Sequence, residues 1–140
     1  MSTLLYGSKC WRTTKHDLAK TSSFLTTNLR KIQRIFWPRT ISNRFLLARC
    51  QQEDMETIVT WKRWRWIGHV LPKDANSITK VAIHLTPEGK RKRGQPKTTW
   101  RRPVEADLKY HSWGTIHRLA SDRQGWKGLV AVLYASKGDG

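Results

Sequence analysis

Carboxylates are what this chain lacks most: ten Asp and Glu stand against 27 Lys and Arg, a formal charge of +17 over 140 residues. No two of the ten sit at a spacing suited to general acid–base work or to two-metal chemistry. The five histidines are scattered, no GxSxG occurs, and Gly89 to Gly94 lacks the GK[ST] ending of a phosphate loop. The residues therefore predict no catalytic site, no metal site and no cofactor. Cys10 and Cys50 are the only cysteines and fall in no CxxC or Cys/His spacing, so they read as reduced thiols. No apolar run approaches about 18 residues, and MSTLLYGSKCW lacks the basic n-region and apolar length of a signal peptide. The expectation is an intracellular protein, nuclear or cytoplasmic and not secreted, with no membrane and no small-molecule substrate among its partners.

Positive charge is what is present, and it is uneven. Residues 1–52 hold ten Lys and Arg against Asp17 alone, residues 57–104 hold twelve against Asp74 and Glu88, and residues 105–140 hold five against four. The densest stretch is GKRKRGQPKTTWRR, where Lys90, Arg91, Lys92, Arg93, Lys97, Arg101 and Arg102 occupy half of fourteen positions. Gly89, Gly94 and Pro96 keep its first half out of regular structure. Burying an unpaired charge costs several kcal/mol, so this segment belongs at the surface. It reads as a solvated loop, as a nuclear-import signal, or as a contact for a polyanion whose condensed counterions it displaces.

The hydrophobic pattern predicts a mainly α fold, a small irregular helical domain of about five helices with the basic Gly/Pro-containing loop between them. Asp17 is a candidate N-cap for a helix to about Phe36, with Leu18, Leu25, Leu29, Ile32 and Phe36 on one face and Lys20, Arg30, Lys31 and Arg34 opposite. Ser42 and Asn43 offer cap chemistry for a short helix carrying Phe45 and Leu46. Glu53, Asp54 and Glu56 suit the first turn of a helix over about 53–71, burying Met55, Ile58, Val59, Trp66, Ile67 and Val70. Its centre alternates indole and cation, Trp61-Lys62-Arg63-Trp64-Arg65-Trp66. Two readings stand for Trp61 and Trp64: packing on an adjoining helix, or a base-stacking platform with Lys62, Arg63 and Arg65 on phosphates and Trp64 the best stacking candidate. His69 reads as a packing histidine. Residues 78–85 read as a short helix or strand. Thr98 or Thr99 can cap a helix bearing Trp100, Val104 and Leu108, and Trp126, Leu129, Val130, Leu133 and Tyr134 mark a terminal amphipathic helix.

Taken together, LLYGSKCW, LRKIQRIFWPRTISN, RWRWIGHVL, PEGKRKRGQPKTTWRRPVEADLK and SWGTIHRLASDRQGWKGLVAVL occur in an order that resembles one family. It is the C-terminal region of the endonuclease–reverse transcriptases of non-LTR (LINE-type, RTE-like) retrotransposons, and the resemblance runs from about Leu4 to Leu133. It implies a thumb-like helical region over 1–72, and the residue pattern adds a connector and basic loop over 73–98, a C-terminal helical hairpin over 99–135 and a frayed tail over 136–140. It further implies a fragment of a larger protein, without the polymerase palm or the endonuclease, that catalyses nothing itself. Such a region is implied to grip RNA or target DNA with weak sequence preference, and to adjoin the palm in a full-length parent. The chain departs from the family at Lys9-Cys10, where Glu-Thr is usual, and at Gln95, where an arginine would complete RGRP. Pro72 and Pro103 depart as well. Those departures also fit a translated remnant without a binding role, the alternative reading.

Overall fold

The computed structural model describes residues 3–85, 94, 100–107 and 112–138, with side chains through residue 135. The described residues form a 3-10 turn, Ser8–Cys10, and seven α-helices: α1 Lys15–Ile32, α2 Asn43–Arg49, α3 Met55–Val70, α4 Ile78–His84, α5 Arg101–Asp107, α6 Trp113–Ser121 and α7 Arg123–Gly138. No strand occurs among them, and the ambiguous segment 78–85 is helical. No helix among the described residues is long and apolar enough to cross a membrane.

The first helix begins earlier and ends sooner than its hydrophobic spacing suggests. Thr14, not Asp17, is the N-cap: the Asp17 amide donates to Thr14 Oγ1, and Asp17 Oδ2 accepts from the Thr14 amide at 3.0 Å. This reciprocal pair satisfies two amides that have no intrahelical partner. At the other end Arg34 takes a left-handed φ of 52°, its amide donating to Lys31 O and that of Ile35 to Arg30 O. That 5→2 and 6→1 pattern is a Schellman stop, with Ile35 tucked in as its buried apolar residue. Ile32 and Phe36, expected in the buried stripe, are consequently exposed, while Leu25 is buried and Leu18 and Leu29 half-buried. α2 stops the same way: Gln51 has φ 51°, its amide donating to Ala48 O and that of Gln52 to Leu47 O. Ser42 caps α2, accepting from the Phe45 amide. Arg30, placed by its spacing on a basic face, instead donates to Ile41 O and Asn43 Oδ1 and ties α1 to the start of α2.

α3 is the central element. Capped by Asp54, it buries Met55, Thr57, Val59, Thr60, Arg63, Trp64, Ile67 and Val70. At 100° per residue these positions sweep about 200° of its circumference, far wider than a single stripe. One flank packs on α1 and on the 3-10 turn, the other on α7. Leu5 and Leu25 join Met55 and Val59 in a small core, while Trp64, Ile67 and Val70 join α4, α5, α6 and α7 in a larger one. Trp64 is fully buried, its ring centroid 6.0 Å from that of Trp126. Burial of a large apolar side chain contributes about 1.5–3 kcal/mol, so this pair is a principal tie between the halves of the chain. Gly68 makes room for it: a Cβ there would run into the Trp126 indole. Asp122 caps α7 by accepting from the Gln124 and Gly125 amides.

Candidate nucleic-acid interface

The sweep of buried positions around α3 leaves one strip exposed, and at 100° per residue Trp61, Lys62, Arg65 and His69 fall on it. This strip meets the turn Leu5–Lys9 across a groove of about 620 Å³. The turn is held there by Gly7, whose left-handed φ of 70° suits glycine and starts the 3-10 turn. Leu5 and Ser8 face inward, which leaves Tyr6 86 % exposed at the groove. Lys9 follows it on the same wall, and Trp66 lines the floor. Among the described residues, no carboxylate lines this groove.

Three contacts organise the aromatic side. The Arg65 guanidinium lies over the Trp61 ring, 5.1 Å from its centroid, an i, i+4 cation–π pair. Trp66 meets Trp100 edge-to-face at 5.6 Å, and Trp100 Nε1 donates to Lys9 O at 3.2 Å. Trp100 thus joins the 3-10 turn to α3, and in the sequence it directly follows the basic run 89–99. The dense cations are therefore covalently attached to a residue packed against the groove's own wall.

Arg63 and Trp64 require correction. Both were candidates for nucleic-acid contact, and both are sealed inside. Arg63 is 3 % exposed and donates from Nη2 to Trp11 O at 3.2 Å and to Thr13 Oγ1 at 3.0 Å, pinning the approach to α1 against α3. Burial pulls its pKa below the ordinary guanidinium value, with the Asp107 charge acting the other way. Trp64 presents no face to solvent and follows the other reading, packing on an adjoining helix. The remaining candidates divide. Lys62 and Arg65 lie at the groove, and Arg102 is exposed on α5. Arg101 is engaged within the fold, 4.9 Å over the Trp113 ring and 3.6 Å from Glu105, which also accepts from Trp113 Nε1 at 3.2 Å. Lys90, Arg91, Lys92, Arg93 and Lys97 lie outside the described residues.

Of the charged and aromatic residues that line the groove, Tyr6, Lys9, Trp66 and His69 are the ones that the sequence did not single out for binding. His69, expected to pack, is exposed. The signal for the strip on α3 lies in its spacing, since Trp61, Arg65 and His69 recur every four residues. Tyr6 and Lys9 reach it only through long-range docking of the 3-10 turn, for which no local signal exists. A second concavity of about 440 Å³ lies along α4 and is mainly apolar, bounded by Val81, Leu85, Lys80 and His84. Comparison with protein-family models, with curated proteins and with solved structures gives no match for this chain.

Proposed function

We propose that this chain is a non-catalytic nucleic-acid-binding module that holds RNA or DNA at the groove between the 3-10 turn and α3. The observation that carries this reading is the groove's composition: exposed Tyr6 and Trp61 interleaved with Lys9, Lys62 and Arg65, with no carboxylate among the described residues that line it. Cations next to phosphates release counterions, and aromatic faces beside them accept bases. A pocket for a small neutral ligand would instead be enclosed, with a few polar groups in place of three flanking cations. The resemblance to the C-terminal region of non-LTR retrotransposon reverse transcriptases supports the same reading, since that region is implied to grip nucleic acid beside the polymerase palm. The basic run Lys90, Arg91, Lys92, Arg93 and Lys97 extends the phosphate-contacting set, and Arg102 adds to it.

Affinity for a labelled oligonucleotide, measured between about 50 and 200 mM salt, tests this. Several phosphate contacts predict a fall of about 10³-fold or more over that range. Replacing Lys90, Arg91, Lys92 and Arg93 together by alanine should weaken binding to all sequences alike and flatten the salt slope. Affinity that is independent of salt would refute the proposal.

A further inference from the structure

We infer that the groove selects unpaired over duplex nucleic acid, with Tyr6 as a stacking surface for an extruded base and the Arg65–Trp61 pair as a second one. This rests on the nucleic-acid reading of the same groove and names the form of ligand it takes. Three observations lead to it. Tyr6 is 86 % exposed although Leu5 before it and Ser8 two residues after it are buried, so the backbone holds a largely free aromatic ring at the mouth of a concavity. The Arg65 guanidinium is held over the Trp61 ring, and a guanidinium plane so supported is itself a surface on which bases stack. Lys9 stands on the Tyr6 wall and Lys62 on the α3 wall, so cations flank the aromatic groups on both sides.

Those features fit a single strand for a geometric reason. In a duplex each base has both faces covered by its neighbours, and a ring on the protein has nothing to stack against. The phosphates of a duplex could still meet Lys9 and Lys62, but Tyr6 would contribute nothing. In an unpaired segment the base faces are free, and stacking on aromatic side chains is tolerant of sequence. A groove of about 620 Å³ lies within the usual range of ligand sites, and suits a few extruded bases rather than the width of a double helix.

The experiment compares binding of a single-stranded oligonucleotide and a blunt duplex of matched length by fluorescence anisotropy, with wild type, Tyr6→Ala, Tyr6→Phe and Lys62→Gln. Tyr6 is almost wholly exposed, so its replacement should leave the fold intact, which a melting curve verifies. The expected result is tighter binding of the single strand, lost by about 5- to 100-fold in Tyr6→Ala and retained in Tyr6→Phe, with duplex binding unchanged. Lys62→Gln should weaken both ligands and reduce the salt slope by about one. Duplex binding as tight as single-strand binding, with Tyr6→Ala neutral, would overturn this inference while leaving salt-dependent polyanion binding in place. Absence of salt-dependent binding to either ligand would overturn both.

Discussion

Two glycines in this chain have opposite jobs, and single substitutions separate them. A Cβ on Gly68 would collide with the Trp126 indole, which is itself locked against Trp64. Gly68→Ala should therefore destabilise by about 1–3 kcal/mol despite alanine's better helix propensity, because the packed ring has to move. Gly128 in α7 has nothing within 4 Å of a built Cβ. Gly128→Ala should stabilise by about 0.5–1 kcal/mol through reduced backbone entropy in the unfolded chain. Thermal melts of the two variants should shift in opposite directions. Arg63 offers a third test at this scale. Its guanidinium bridges Trp11 O and Thr13 Oγ1 from a buried position, so Arg63→Ala should cost about 2–3 kcal/mol, as hydrogen bonds to charged groups do when lost. A phosphate-contacting arginine would instead show no loss of melting temperature.

The helices were legible where apolar spacing and capping chemistry agreed, and illegible where the backbone did something its residues do not advertise. Ser42 and the run from Trp126 to Leu133 behave as their side chains suggest, while Asp54, expected in the first turn of α3, is its N-cap. The end of α1 does not. Arg34 adopts a left-handed conformation that glycine usually supplies, so nothing in the local composition announced the stop, and Ile32 and Phe36 were assigned to the core. Left-handed backbone costs a residue with a side chain about 1–2 kcal/mol, more than the extra freedom glycine loses on folding. Arg34→Gly should therefore raise stability by up to about 1 kcal/mol, read as a higher melting temperature. The width of α3 was missed for a related reason. Its Trp64 face is buried because α7 packs on it from far along the chain.

Acid should loosen the elements in a fixed order. His117 is stacked on His84 with ring centroids 6.0 Å apart, and its pKa lies below the ordinary imidazole value through burial, then through Lys80 and His84. Asp17 lies below the ordinary carboxylate value because the Thr14 hydroxyl and amide hydrogen-bond to it. In both cases the unfolded chain takes up protons at higher pH than the fold does. The associated stability is thus complete above each unfolded pKa and declines as pH falls toward the folded one. Melting temperature should step down first below about pH 6.5, where α4 meets α6, and again below about pH 4, at the start of α1. His117→Gln should remove the first step and leave the second, as followed by circular dichroism across the titration.

At the scale of the whole molecule, the exposed aromatic groups among the described residues, Phe24 apart, collect in two places. One is the groove beside α3, with Tyr6 and Trp61 among cations. The other follows the C-terminal end of α1 and runs into α2, where Phe36, Trp37 and Phe45 are exposed and Trp37 reaches 89 %. The excess of positive charge predicts attraction to a polyanion without saying which surface meets it, since long-range steering acts on the chain as a whole. Ultraviolet cross-linking of a single-stranded oligonucleotide to the intact chain, with adducts located by mass spectrometry, distinguishes the two surfaces directly. Adducts on Tyr6 and within Trp61 to Trp66 are predicted; adducts confined to Phe36, Trp37 and Phe45 would place the interface elsewhere and contradict the groove.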